Sequence, residues 1–259
     1  MNNQKKANEM SNFIVVLPSL NNRISPIKGG LLLAKYLYDN GFKIKLISLK
    51  KLDHDKDDYP FEAISLNMNN FFDLLRARST LIKELNYENS VTIFSFTLFP
   101  DLLVSTIYGL NKVSFVRAYL IDQYREDFPF IGFLLTRLHS IILKKFSYVV
   151  AMTDSMRLQI ISLGIKPERV LVNKNSIDTS AVRKIYNNKG EIEQKKTVTN
   201  ISIAGSLTKR KRMSDAILAI TMVQHPVRLN IYGLGPEQES LAKLAKQENV
   251  SDKVIFHGF

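Results

Sequence analysis

The sequence predicts an α/β protein built from two doubly wound parallel-sheet domains, the second of them incomplete. Three observations predict it. Short apolar runs rich in Ile, Val and Phe alternate with helical patterns along almost the whole chain, as strands buried on both faces and their crossover helices do. The alternation stops at a polar, charged stretch, "NNKGEIEQKKTVT" (187–199), which reads as a linker, and then restarts. The remaining chain holds only three strand patterns and two helical patterns, half of a nucleotide-binding fold. The expected domains are therefore residues 1–190 and 191–259.

In order, the strands of the first domain are expected at 13–17, 43–49, 91–96, 112–116, 148–152 and 169–172, all read as buried. Helical periodicity predicts helices over 30–40 closing on Gly41, over 70–85, over 130–146, and over 154–163 closing on Gly164. The second domain is expected to run strand 200–204, helix 213–223, strand 227–232, helix 236–248 and strand 253–256. The first of these strands also reads as buried.

With 259 residues, 45% of them hydrophobic, the chain is long enough for proper cores. The absence of cysteine excludes disulfide frameworks, thiolate nucleophiles and cysteine metal sites. The polar opening "MNNQKKANEMSN" is no signal peptide, and no apolar run approaches the ~18 residues of a membrane span. A soluble, cytoplasmic protein is expected. The net charge of +12 suits anionic partners of several kinds, nucleic acid, an anionic membrane surface and phosphorylated substrates among them, and selects none.

Three glycine-bearing stretches sit where ligands of open α/β sheets bind, after strands and before helices. The first is Gly29–Gly30, read as opening the first helix so that a phosphate or sugar can approach the backbone; a simple turn pair fits as well. The second is "GSLTKRKR" (205–212), whose four consecutive cations either fan into water or face an anion. The third is "YGLGPE" (232–237), which lacks the third glycine of a dinucleotide fingerprint and so argues against NAD. The four histidines show no metal-ligand spacing, and no Ser-His-Asp arrangement can be argued. No metal site is expected.

Together these pieces resemble a bacterial family-four retaining glycosyltransferase of the GT-B type, with two Rossmann-like domains that hold a nucleotide-sugar. Gly29, Gly30, Leu37, Gly41 and Ile44 match the family's Gly-Gly loop and Leu-x-x-x-Gly-x-x-Val; Asn175, Ile177 and Asp178 stand for its Asn-Gly-Val-Asp. Gly205, Leu207 and Lys211 match Gly-Arg-Leu-x-x-x-Lys-Gly, and "GLGPE" and "VIFHGF" fit as well. The resemblance implies transfer of a sugar, with retention, from a nucleoside-diphosphate sugar to a saccharide or lipid-linked acceptor in cell-surface polysaccharide or lipopolysaccharide synthesis. It implies no cofactor beyond that donor substrate, and no nucleic-acid partner. Lys211 is the implied catalytic clamp on the leaving diphosphate and Arg117 a second catalytic candidate on the acceptor side. Gly29, Gly30, Gly205, Ser206, Lys209, Gly235 and Gly258 are the implied donor-binding residues.

The sequence departs from the family at five places. Ser206 replaces the motif arginine, and Arg212 the glycine after the lysine. Arg117 falls closest to the position of a usual histidine, and Phe94 and Phe96 occupy the region of others. The family's Glu-x7-Glu segment would lie past Phe259, so a truncated chain is expected; an inactive relative, half of a split enzyme, or a basic anion- or nucleic-acid-binding protein are the rival readings. Finally, Ile131, Leu134, Leu135, Leu138, Ile141 and Ile142 form one helical stripe in "FPFIGFLLTRLHSIILKKF" (128–146). Such a stripe rests on an anionic bilayer as a peripheral contact, or is ordinary core.

Overall fold

Strand β1 (Asn12–Leu17) sets the frame of the first unit: Ile14 and Val16 point into one apolar cluster and Val15 and Leu17 into another, all four buried. In the computed structural model, which describes residues 12–20, 25–51, 59–85, 91–175, 179, 183 and 198–258, β1 pairs in parallel with β2 (Lys43–Ser48) on one side and β4 (Val91–Phe96) on the other. Adding β3 (Glu62–Ser65), β5 (Asn111–Phe115), β6 (Tyr148–Ala151) and β7 (Val170–Val172) completes a seven-stranded sheet in the order β3-β2-β1-β4-β5-β6-β7. Every pairing is parallel, so each connection crosses over a face of the sheet. Helix α1 (Ser25–Asp39) packs Ile27 and Ala34 on one face. Helices α2 (Leu74–Glu84), α3 (Leu98–Ser105), α4 (Leu120–Asp127), α5 (Gly132–Leu143) and α6 (Asp154–Ser162) pack on the other.

The second unit holds a three-stranded parallel sheet in the order β10-β9-β8, from β8 (Thr199–Ala204), β9 (Val227–Tyr232) and β10 (Val254–Gly258). Helices α7 (Met213–Thr221) and α8 (Gln238–Gln247) share one core with it, through Ile217, Ile220, Leu241 and Ala245. Contacts divide the chain into Met1–Ile177 and Asp178–Phe259, ahead of the 190/191 division expected from composition. Most of the expected linker, 187–197, lies outside the described residues.

Several expectations need correction. The strand at 200–204 is not buried: along β8 only Ile203 is even half-covered, because β9 is its one described neighbour and its other face has no described helix against it. The helix expected over 130–146 is shorter and is preceded by a separate helix, α4. The first residue of α5, Gly132, sits so close to the Tyr124 carbonyl that a Cβ there would overlap it. Helix α3 tolerates Pro100 because it falls in the first turn, where a proline forfeits no helical hydrogen bond.

Candidate functional site

Ligands of open parallel sheets bind beyond the carboxyl ends of the strands, at the point where strand order reverses. In the first unit that point lies between β1 and β4. Gly29 and Gly30 are near it, but not as an open loop. Helix α1 begins at Ser25, so both lie in its second turn, where backbone N–H groups are taken by carbonyls four residues back. The helix therefore starts ahead of this pair and is not opened by it, and their amides are engaged within it. Their missing side chains serve packing instead: a Cβ on Gly30 would overlap Leu17, and one on Gly29 would overlap Arg117.

Arg117 follows β5 and reaches back over the end of β4, its guanidinium 6.0 Å from the centroid of the Phe96 ring. Phe96 in turn stacks on Phe115, 4.7 Å between centroids and 11° between planes. The Nε of Arg117 is buried without a hydrogen-bond partner among the described residues, and burial lowers the pKa of the group from its usual value. Beside it Thr97 holds φ 78°, a left-handed conformation rare for a β-branched residue.

Behind β4 and β5 lies a polar network that sequence spacing did not reveal. The carboxylate of Asp101 accepts from Ser95 Oγ, from Ser114 Oγ at 2.8 Å, and lies 2.9 Å from His139 Nε2; His139 Nδ1 meets the Tyr124 hydroxyl at 2.9 Å. Asp101 and Ser95 are wholly buried and His139 is 2% exposed. Ser, Asp and His are thus contiguous after all, but the serines bond to the aspartate and the group is sealed, which makes it a structural tie and not a nucleophilic site. Burial, then the Asp101 and Asp127 carboxylates, raise the Tyr124 pKa well above its ordinary value. Of the other histidines, His225 and His257 are exposed and His54 lies outside the described residues.

In the second unit the three carboxyl-end loops are stitched by main-chain hydrogen bonds: Gly205 N to Tyr232 O at 2.9 Å, Leu207 N to Leu234 O at 3.0 Å and Gly233 N to Gly258 O at 2.6 Å. A Cβ on Gly233 or Gly235 would overlap the carbonyl of Gly205 or Leu207, so these two glycines let the loops touch. Gly258 contributes its carbonyl to the same seam. The 205–212 loop carries Ser206, Lys209 and Lys211 exposed. The Lys211 stem lies over Gly205, its Cδ 3.9 Å from where a Cβ would stand. Thr208 Oγ1 is buried without a partner among the described residues. Arg212 pairs with Asp215 at 2.8 Å, while Lys209 and Lys211 have no carboxylate partner among the described residues. At Arg212, where the family pattern has glycine, the backbone keeps a left-handed turn (φ 49°, ψ 42°) just ahead of α7.

Each unit thus presents cations at carboxyl strand ends, Arg117 in the first and Lys209 with Lys211 in the second. No cluster of His, Cys, Asp or Glu fit for a metal exists among the described residues. A cavity at the opposite, amino-terminal edge of the first sheet, lined by Tyr108, Lys112, Lys145, Tyr148 and Arg169 among others, gathers none of the expected site residues. Of the closing motif, Asn175 is exposed, and Ile177 and Asp178 lie outside the described residues.

Helix α5 is inverted. Its buried side carries Thr136, His139 and Ser140 as well as Ile142 and Leu143, and its outer side carries Phe133, Leu134, Leu138 and Ile141 with Arg137. Phe130 ahead of it is 101% exposed, Phe133 80% and Leu134 64%. Of the expected stripe, Ile131, Leu134, Leu138 and Ile141 face outward, Leu135 is half-covered and Ile142 is core. No helix among the described residues is long and apolar enough to cross a membrane.

No curated protein sequence matches the chain significantly. Residues 183–259 match the family described as Glycosyl transferases group 1. Among solved structures, the chain is similar to the lipopolysaccharide outer core galactosyltransferase WaaB in its apo form, at 12% identity and TM-score 0.67, over 96% of this chain and 68% of that one. It is similar to Anabaena HepE in complex with UDP-glucose, at 15% identity and TM-score 0.68, over 95% and 69%. Similarity to a complex of S. aureus TarM with UDP and saccharides covers 96% and 77%, at 10% identity and TM-score 0.69. The chain therefore has the α/β architecture of GT-B glycosyltransferases, a seven-stranded parallel sheet and a second, smaller one, and its second unit carries a group 1 glycosyltransferase match.

Proposed function

We propose that this chain transfers a sugar, with retention, from a nucleoside-diphosphate sugar to a saccharide or lipid-linked acceptor. The observation that carries the reading is the 205–212 loop, which lies within the segment matching group 1 glycosyl transferases and follows a strand with two lysines that have no carboxylate partner, and a buried threonine hydroxyl that has no hydrogen-bond partner, among the described residues. A departing diphosphate needs fixed positive charge and N–H donors at a helix N-terminus, and α7 starts there. Lys211 is the clamp in this reading, with Ser206, Lys209 and Thr208 beside it. The UDP and UDP-glucose bound by HepE in its solved complexes favour the same donor class.

Calorimetric titration with uridine and guanosine diphosphates tests the reading. Lys211→Ala should weaken binding by roughly 1.5–3 kcal/mol, as loss of a charge-assisted hydrogen bond does, and Arg210→Ala much less. Equal, small losses return the loop to a solvated basic turn. Transfer to a membrane extract from a panel of labelled nucleotide-sugars then tests catalysis itself.

The outward apolar face of α5 favours a peripheral contact with an anionic bilayer, which would bring a lipid-linked acceptor to the first unit. Phe130, Phe133 and Leu134 supply the apolar insertion, and Arg137, Lys144 and Lys145 the charge. Water is a poor place for such a face, and core helices of α/β sheets normally point theirs inward.

A further inference from the structure

We propose that Arg117 is a specificity-determining residue that binds an anionic group, carboxylate or phosphate, carried by the saccharide substrate at the crevice between β1 and β4. The word saccharide rests on the glycosyltransferase reading above; the anion rests on the first unit alone. Four observations converge. The sheet order reverses between β1 and β4, so the crevice of an open α/β sheet falls there. Arg117 leaves β5 and spans the end of β4, with Phe96 beneath its guanidinium and the second turn of α1 against its flank. Gly29 has no side chain at the one place where a Cβ would push the guanidinium out. Thr97, at the end of β4, holds a left-handed backbone of the kind that persists at ligand clamps.

The electrostatics say what kind of group fits. Arg117 makes no ion pair with a described residue, and its Nε is buried with no acceptor among them. The buried carboxylate behind β4 and β5, Asp101, is committed to Ser95, Ser114 and His139. A half-covered cation left without counter-charge among the described residues is costly, and a neutral hydroxyl would satisfy one N–H without offsetting the charge. A planar carboxylate or a phosphate does both, because its two oxygens match the guanidinium fork. Burial lowers the pKa of Arg117, and an anion opposite it would reverse that. The residue is thus placed to prefer a sugar bearing a negative group over a neutral one.

The test titrates the full chain with glucuronate, glucose 6-phosphate and glucose, following amide chemical shifts. At least one of the two anionic sugars should bind 10-fold or more tightly than glucose, and which one it is assigns the anion. Arg117→Gln should remove that preference, and Arg117→Lys, which keeps the charge but not the fork, should retain part of it. A melting temperature for each variant shows that it is folded, and should Arg117→Gln fail to fold, Arg117→Lys with its weakened preference carries the comparison. Equal binding of all three sugars by the parent chain, or an undiminished preference in both variants, overturns the proposal. Titration with uridine diphosphate runs alongside: its failure would strike the nucleotide-sugar reading and leave the anion preference standing.

Discussion

Replacing Asp101 by alanine should loosen the first unit more than any other single change to a polar residue there. Its wholly buried carboxylate is the meeting point of Ser95, Ser114 and His139, and through His139 it reaches Tyr124. These residues lie on β4, β5, α5 and α4, so the one group ties two strands to two helices. Its removal strands two hydroxyls and an imidazole nitrogen in a site closed to water. Breaking a buried pair from one side costs about 3–5 kcal/mol. For a unit of this size each kcal/mol lowers the melting temperature by about 2–4 °C, so the drop should be roughly 6–20 °C. Tyr124→Phe cuts only the outermost bond and should cost about 1 kcal/mol. Thermal denaturation followed by circular dichroism reads both. A drop below about 3 °C for Asp101→Ala would refute the account, since it would mean that the carboxylate is either wet or already unpaired.

The same tyrosine predicts a pH dependence. Its folded pKa is raised above the ordinary 10.0, so its contribution to stability is full below that pH and is lost as pH rises toward the folded value; the parent chain should lose stability above about pH 10 by more than Tyr124→Phe does, in urea melts. Gly30→Ala forces a Cβ against the buried Leu17 side chain and should cost about 1–3 kcal/mol by overpacking, measured by the same melts. Arg212→Gly should be neutral or stabilising by about 1 kcal/mol, because it relieves a left-handed residue and gives up only an exposed ion pair; clear destabilisation would mean that the pair with Asp215 matters. Sedimentation with anionic vesicles should capture the chain, fade with salt and fail for Arg137→Gln/Lys144→Gln/Lys145→Gln; capture unchanged in that triple variant would place the contact elsewhere.

Much of the fold is legible in the sequence because its strands are near-continuous apolar runs with clear stops. The expected bounds of β4 and β9 agree with the structure to the residue, and α6 begins where Thr153 accepts a hydrogen bond from Met156 N, as an N-cap should. β3 escapes such a reading because "EAIS" is too short and too mixed to show a period, and α3 because Pro100 reads as a breaker unless its place in the first turn is known. α4 escapes it because only Leu120 and Tyr124 of its eight residues are buried. The site is legible in part. The 205–212 loop can be found from its run of cations after a strand. The Asp101 network cannot, since Asp101 and His139 are 38 residues apart and meet only because α3 and α5 pack together in the fold. Gly29 and Gly30 stand out in the sequence because a glycine records that something comes close, and in the structure Arg117 and Leu17 do.

The central place of β1 also governs when the first unit can form. Asn12 pairs with Lys43 on one edge, but its other edge waits for Val91. At roughly 5–20 residues per second of synthesis, that partner emerges about 4–16 s after β1 itself. Until then this strand, with Val15, Val16 and Leu17 at 0% exposure once folded, is an open edge on a growing chain. The strand that anchors the finished sheet is thus made well before its second partner, and the nascent chain is most vulnerable to wrong pairing over the residues that precede β4.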